Sequence, residues 1–386
     1  MINLTYKGNK LQKDGLSISL KEPVEQNPFI LTVDTTKQDY DTADNPEDDM
    51  VYLHLNQSYN YAFTINWGDG TEEFIDNDDV ENLPDSWDKQ LSHQYDEPGV
   101  YDIEITGIFG GLHMGFSDGV GKIIDVKQWG DPIWDDTEYA FAGCTNLEIS
   151  ATDLPNWQNI VSAHSIFNFC WSLDEIPNGI FDKSTNLVNG RSMFVQTTIT
   201  SIPNGLFDTP IFDDLTQVFY QCSELVSIPI GLFDNCTNLV NALGMFDECE
   251  SLESIPSGLF DNCLLIENFQ NLFRNCFELV SIPTGLFDNN SEVINFSGVF
   301  SGCTSLGSVP IDLITPQNNP NVLNLPNAFR GLTSVSGNSP EVWKDWNDGD
   351  GPGYEGKGSL TKGNCFTGST GFDDYDSIPS SWGGGA

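Results

Sequence analysis

A phenylalanine recurs along the middle of this sequence at intervals of 25 to 29 residues, and this period restricts the fold more than any other feature. Most copies are followed by an Ile-Pro pair and then by Gly-Leu/Ile-Phe-Asp, so each unit reads approximately MFxxCxxLxSIPxGLFDNxTNLxN. One unit is too small to enclose a core, whereas stacked units bury each recurring side chain against its counterparts. The repeats therefore predict a solenoid with interior rows of like residues. The recurring residues are Phe141, Phe167, Phe194, Phe219, Phe246, Phe273, Phe300 and Phe329.

Each unit also predicts its own local structure. The Leu-x-Ser-Ile stretch alternates with period two, which favours a short parallel strand that the following Pro ends. The Gly-Leu-Phe-Asp-Asn stretch favours a tight turn or a single helical turn on the opposite side. The 36 Gly and 20 Pro of the chain also favour turns and strands over helical bundles, so we expect a mainly β fold.

Cysteine follows the repeated Phe by three residues in most units, which gives the row Cys222, Cys249, Cys276 and Cys303. Zinc is one alternative, but structural zinc sites use closely spaced CxxC-type pairs, and these thiols would lie on different coils. A disulfide between adjacent coils is a second alternative in an oxidising setting. We expect reduced, buried, structural cysteines, because free Cys packs as a small apolar residue and nine is an odd count.

A different pattern lies upstream, where YNYAFTINWGDGTEEF precedes HQYDEPGVYDIEITG. Alternation at Phe63 and Ile65 predicts a strand, and Asp69-Gly70 predicts a hairpin turn. The pattern is similar to that of PKD-type domains, which implies an Ig-like β-sandwich used as a spacer or binding module. It also implies a structural role for the hallmark residues, with His93 packing and hydrogen bonding. The hallmark residues are Trp67, Gly68, Asp69, Gly70, His93, Tyr95, Gly99 and Tyr101.

The repeats from about Gln128 to Ser336 resemble those of the BspA-like leucine-rich repeat surface proteins, in which FxxCxxL units follow a Trp-Gly start. The resemblance implies a leucine-rich-repeat-type solenoid with repeats of about 27 residues. It further implies an interaction or adhesion surface without catalytic residues. Repeats of this kind behind a PKD-like domain are also found in bacteriophage structural proteins.

These patterns divide the chain into five segments. We expect an N-terminal β-arm or hairpin at 1–27, the PKD-like sandwich at 28–108, and a connector with the N-terminal cap of the solenoid at 109–137. The solenoid then occupies 138–336. Residues 337–386 are expected to form a degenerate repeat and C-terminal cap, because terminal coils cover an exposed edge and are atypical.

The charge of the chain excludes several classes of partner. Its 386 residues carry 15 Lys+Arg against 57 Asp+Glu, a formal net charge of −42, which argues against binding nucleic acid or anionic membranes. No run of 18 or more apolar residues occurs, so we expect no membrane insertion. The first residues lack the apolar core of a secretory signal, so we expect no export by that route.

Two acidic segments raise the question of calcium. Residues 41–97 contain sixteen acids and one base, and calcium binding is the alternative to a solvated acidic surface. The loop that starts at Asp345 superficially resembles an EF-hand, but Gly349, Asp350 and Gly356 are the wrong residues at positions five, six and twelve. We expect no cofactor and no metal.

No catalytic motif is present, and the four His show neither triad nor metal spacing, so we expect a protein that is not an enzyme. Paired carboxylates for glycoside hydrolysis remain an open alternative, because their separation is not visible in sequence. Trp157, Trp171 and Tyr220 lie outside the shared apolar rows. They are candidate surface contacts, although filling local gaps in the core is the alternative.

The absence of a secretory signal from modules that elsewhere face the outside favours release by host lysis. We therefore expect a bacteriophage virion structural or surface protein, such as a tail fibre or head-decoration protein. Its partners would be other virion proteins and a host-surface glycan or protein. The alternative is an adhesin on a bacterial cell surface that binds a host protein or glycan.

Overall fold

The computed structural model describes residues 26–37, 49–84, 89–115, 117, 119–345 and 360–385, and the backbone alone of 5–6, 10–13 and 16–19. The described chain is mainly β, as expected, and its two α-helices are short. The strands of the described ranges are β1 (Thr5–Tyr6), β2 (Lys10–Lys13), β3 (Leu16–Ser19), β4 (Phe29–Asp34), β5 (Met50–Leu55), β6 (Tyr61–Asn66), β7 (Glu72–Asp76), β8 (Lys89–Gln94), β9 (Val100–Phe109), β10 (Ile123–Gln128) and β11 (Glu148–Ile149), and the helices are α1 (Asn77–Asn82) and α2 (Val342–Asp345).

The strands form three sheets. Strands β1, β2 and β3 make an antiparallel sheet in that order, within the segment expected to form an arm or hairpin. A six-stranded sheet has the order β11-β10-β4-β9-β6-β7 and is antiparallel except for the β10–β11 pair. Strands β5 and β8 form an antiparallel pair. The predicted hairpin at Asp69-Gly70 is confirmed, because β6 and β7 pair on either side of this turn.

Three tryptophans join the six-stranded sheet to the repeats. Trp129 and Trp134 pack against Phe29 of β4, at ring-centroid distances of 6.0 and 5.2 Å. Trp157 packs edge-on against Trp129 at 5.0 Å and continues to Phe181 at 5.7 Å. The prediction that Trp157 is a surface contact is therefore wrong. Its side chain is 0% exposed, because it packs in the interface between the sheet and the first coils.

Beyond this interface the chain forms coils that lie in register on one another, which we call the repeat stack. One Phe ring per coil stacks nearly parallel on the next, with centroids 5.4–6.4 Å apart. We call these rings ladder Phe residues. The row continues past Phe329 to Phe366, so residues 360–385 add a coil to the end of the stack.

The Leu-x-Ser-Ile stretch differs from its prediction. Four successive coils form isolated parallel bridges at the Ser rather than a strand, at Ser201, Ser227, Ser254 and Ser281. The Pro that follows each Ile has no N–H to donate, so the ladder cannot extend past it. A second row of isolated parallel bridges, which the sequence patterns did not indicate, runs on the preceding segment of each coil. It includes Asn189, Asp214, Asn241, Asn268, Asn295 and Asn324.

The Gly-Leu-Phe-Asp stretch forms the predicted tight turn. In one coil, the N–H of Asp234 donates to the carbonyl of Gly231 at 3.0 Å, and Gly231 has φ +76°. A left-handed φ of this kind favours glycine, and a Cβ here would lie 2.9 Å from Oδ2 of Asp234. The recurring Gly is therefore required by the backbone.

Candidate binding face

The residues around each ladder Phe divide into inward and outward positions. In the coil of Phe219, Cys222 is buried, whereas Tyr220, Gln221 and Ser223 are half-buried and reach one side of the stack. Those outward residues are the first, second and fourth after the ladder Phe. We call the surface that these three positions form along the stack the turn face.

The backbone of the turn face is held by hydrogen bonds between successive coils. The N–H groups of Gln217, Phe219 and Gln221 donate to carbonyls of the next coil at 2.8–3.0 Å, and the same pattern recurs along the stack. The second residue after each ladder Phe has a positive φ, 58° at Gln221. Because these bonds satisfy the backbone, the outward side chains are left to interact with one another and with ligands.

The cysteine row lies directly behind this face. The Sγ atoms of Cys222, Cys249, Cys276 and Cys303 each donate to the carbonyl of the ladder Phe one coil earlier, at 3.0–3.2 Å. Burial raises the pKa of the Cys222 thiol to about 12. All nine cysteines are buried and none is in a disulfide, so these thiols pack and hydrogen bond within the interior.

The PKD hallmark residues form one cluster on the other part of the chain. His93 stacks on Trp67 with centroids 4.6 Å apart, and Nε2 of His93 lies 2.8 Å from Oδ2 of Asp69. Tyr95 meets the edge of His93, stacks on Tyr101 at 3.9 Å, and donates its hydroxyl to the Trp67 carbonyl at 2.8 Å. The cluster ties the β6–β7 turn to β8 and β9.

Three glycines and a carboxylate with a lowered pKa also belong to this cluster. Gly68 and Gly70 have φ of +85° and +96°, and the N–H of Gly99 donates to Oγ1 of Thr35 at 2.9 Å. Burial raises the pKa of Asp69, but hydrogen bonds from Thr71 and His93 outweigh it and lower that pKa to about 2. His93 is thus occupied by a packing and hydrogen-bonding contact.

Trp171 lies in a groove of about 380 Å³ on the turn face, in the size range of small-ligand clefts. The groove crosses four coils, and we call it the Trp171 groove. Its Trp171 follows a ladder Phe by four residues, and the Trp171 carbonyl accepts from Oγ1 of Thr198 at 2.9 Å. The lining residues are Trp171, Gln196, Thr197, Thr198, Gln221, Ser223, Glu248 and Glu250.

A chain of hydrogen bonds runs along the floor of this groove. Gln196 donates to Gln221 of the next coil, and Gln221 donates to Glu248 of the following coil at 2.7 Å. Arg274 donates to Glu248 at 2.8 Å and to both carboxylate oxygens of Asp247 at 2.8 and 3.0 Å. Four coils are therefore connected through side chains on their outer side.

Burial shifts the pKa of two ionisable groups beside this chain of hydrogen bonds. Asp247 is 3% exposed, and burial raises its pKa to about 6 although hydrogen bonds from Arg274 oppose the shift. Burial also raises the pKa of Tyr220, and the charges of Glu248 and Asp247 add to the effect. Tyr220 therefore lies next to the same carboxylates, so the structure brings two predicted surface aromatics, Trp171 and Tyr220, to one face.

A second groove of about 470 Å³ continues the turn face toward the C-terminal coils. Glycine and serine form much of its floor, and it lies between Arg274 and Arg330. The chain has three arginines, and the third, Arg191, is also exposed beside the first coils of this face. Two of the three arginines, Arg274 and Arg330, therefore line this part of the turn face.

Two further histidines contact neighbouring side chains. Nδ1 of His113 lies 3.3 Å from Oδ2 of the buried Asp136, and His164 packs against Tyr139 at 4.9 Å. Burial lowers the pKa of His164. Within the described ranges, no group of three or more His, Cys, Asp or Glu is placed to hold a metal ion. The loop after Asp345 and residues 41–48 lie outside the described residues.

The sequence patterns missed Gln196, Gln221 and Glu248. A signal was present, because the second position after a ladder Phe is Gly or Asn in most other coils, such as Gly302 and Asn275. Departures from the common residue at an outward position therefore indicate the groove.

No protein-family model matches this chain, and a search of curated proteins finds no match. In the part of the chain that the structure describes, no helix has the length and apolar character that crossing a membrane requires.

Proposed function

We propose that the chain is a non-enzymatic interaction protein composed of a PKD-like β-sandwich at 28–108 and a BspA-like leucine-rich-repeat-type solenoid at 138–336. The row of stacked ladder Phe rings supports the solenoid, since a row of like side chains in register is what stacked repeats produce. The clustered Trp67, His93 and Tyr95 support the PKD-like part.

The turn face is the observation that carries the interaction role. Its outward side chains are fixed by bonds between coils, and its grooves are broad and polar. Open, elongated surfaces of this kind suit the recognition of an extended partner. An enzyme requires a base or nucleophile with a positioned partner. His93 stacks on Trp67 and contacts Asp69, which supports a structural role for this histidine.

We propose a bacteriophage particle as the setting, with the chain as a tail-fibre, head-decoration or similar surface protein. The N-terminal segment and the PKD-like domain would attach to other virion proteins, and the solenoid would project outward. The net charge of −42 supports a role away from packaged nucleic acid.

Immunogold labelling of purified phage from the source tests this setting, with antibody pre-absorbed on the purified protein as the control. Label at discrete positions on the particle is the expected result. Label that is absent from particles and present on source-cell envelopes would overturn the virion proposal and leave the adhesin.

The second candidate is a bacterial cell-surface adhesin that binds a host protein or glycan. The Trp171 groove favours it, because an aromatic ring beside fixed amides and carboxylates suits a polar ligand with an apolar face. Binding of the purified chain to host cells, with unlabelled particles, would select this candidate.

A further inference from the structure

We propose that the Trp171 groove binds a neutral carbohydrate chain that lies along the axis of the repeat stack. The inference deepens the proposed interaction role and rests on it, because it names the ligand class of one surface. Trp171, Gln221 and Glu248 supply the contacts that carry it.

Trp171 supplies the apolar contact. Its side chain is half-buried and lines the groove, and the Thr198 hydrogen bond to the Trp171 carbonyl holds the backbone at this residue. The face of an indole ring carries negative charge and attracts positively polarised edges. The C–H groups on one face of a pyranose ring are positively polarised in this way, so a sugar ring stacks favourably on the Trp171 ring.

The amide side chains supply the polar contacts at intervals of one coil. Each glutamine amide has two N–H donors and an oxygen with two lone pairs. Gln221 uses one donor toward Glu248 and accepts one bond from Gln196, so it retains a donor and a lone pair. Sugar hydroxyls both donate and accept, and they match groups that retain one of each.

The groove is organised before a ligand arrives. Gln196, Gln221 and Glu248 are linked in series, and Arg274 holds the outer end through Glu248. Binding therefore costs less side-chain entropy than it would with unrestrained amides. Successive ladder rings in this part lie 5.5–5.8 Å apart, so a linear chain of sugars meets a new set of polar groups at each coil.

The backbone conformation at these positions indicates that the three side chains are present for their chemistry. Gln196, Gln221 and Glu248 have φ of 58°, 58° and 61°, a left-handed conformation in which the corresponding residue of most other coils is Gly or Asn. A longer side chain at this position costs stability. Strained positions are concentrated at functional sites in proteins, which agrees with a ligand-binding use.

Charge determines which sugars fit. Glu248 and Glu250 both line the groove, and the whole chain is strongly acidic. Like charges repel sialylated, uronic and sulphated chains at this position. The groove therefore selects neutral hexose or N-acetylhexosamine chains over acidic ones.

The test is a printed array of neutral oligosaccharides and their sialylated or sulphated counterparts, probed with the full-length protein. Titration calorimetry with the best neutral oligosaccharide then compares the wild type with Trp171→Ala and Gln221→Ala. Phe74→Ala is the control, because Phe74 is an aromatic residue of β7 that is 61% exposed and lies outside the repeat stack and the groove.

We expect Trp171→Ala to weaken binding at least about tenfold and Gln221→Ala about three- to tenfold, with Phe74→Ala unchanged. Thermal melts of each variant establish that it is folded, and Trp171→Phe should restore part of the affinity. No binding to any neutral chain, binding of acidic chains only, or equal affinity of wild type and Trp171→Ala would overturn the inference. If particles carry gold label and the protein binds no sugar, this inference alone is overturned. If the protein binds sugar and particles carry no label, the virion setting alone is overturned.

Discussion

Replacing Phe246 with Ala tests whether the ladder Phe row holds the repeat stack together. The Phe246 ring is 0% exposed and lies between Phe219 and Phe273, with both centroids at 5.5 Å. A buried Phe side chain removes ~150–200 Å² from water, which at ~25 cal/mol per Å² corresponds to about 4–5 kcal/mol. Ala recovers part of this, whereas the cavity and the lost ring contacts add to the cost. We expect the free energy of unfolding to fall by about 4 kcal/mol.

Urea unfolding followed by circular dichroism measures this loss, and Ile230→Ala is the control, because Ile230 is 86% exposed. The control should change the unfolding free energy by no more than about 0.5 kcal/mol. A double-mutant cycle of Phe246→Ala with Phe219→Ala should give a coupling of about 0.5–1.5 kcal/mol. Phe300→Ala, two coils away, should add to Phe246→Ala within about 0.5 kcal/mol. Strict additivity for the adjacent pair, or a loss as small as that of Ile230→Ala, would refute stacking of the rings.

Three further predictions concern the same stack. Because burial raises the folded-state pKa of Asp247 from 3.8 to about 6, its contribution to stability is full below pH 3.8 and is lost as the pH rises through 6. The unfolding free energy of wild type minus that of Asp247→Asn should therefore fall by up to about 3 kcal/mol across this window, and a flat difference contradicts the assignment. Gly231→Ala forces a left-handed alanine against Asp234 and should lower the free energy of unfolding in urea by about 1–2 kcal/mol. The control Ser257→Ala should leave this free energy nearly unchanged, and equal losses in the two variants would exclude the backbone argument. Burial raises the pKa of thiols such as Cys222, so Ellman's reagent at pH 8 should label none of the nine in native protein and all nine in urea; rapid native labelling would place a thiol at the surface.

The interior of the stack was predictable from sequence because each buried position must repeat. A ladder ring such as Phe273 meets the same residue on both sides, so its period is visible in one sequence without knowledge of the partner. The turn at Gly231 was predictable for the same reason, since only a residue that tolerates positive φ recurs there. The sequence predicted a strand at Ser227, where the structure has an isolated bridge. Period-two alternation indicates in which direction the side chains point, but it does not indicate how many hydrogen bonds join neighbouring coils.

Trp157 shows why an exception to the period is ambiguous. An aromatic residue outside the repeated rows either reaches the surface or fills a gap against another part of the chain, and both options look alike in sequence. The outcome depended on Trp129 and Phe29, which lie in the non-repeating part. Trp171 lies on the turn face instead, where it lines a groove.

The interior and the turn face obey opposite requirements, and this separation makes the stack suitable for binding. An inward residue such as Cys249 must match the coils on both sides, because its thiol donates to the preceding coil. An outward residue such as Gln221 has a weaker matching requirement, because bonds between coils already satisfy the backbone. Outward positions can therefore differ from coil to coil, although a residue other than Gly or Asn at the left-handed position lowers the stability. The differences at Gln196, Gln221 and Glu248 coincide with the groove beside Trp171, so the coils that depart from the common pattern are the ones to which we assign ligand recognition.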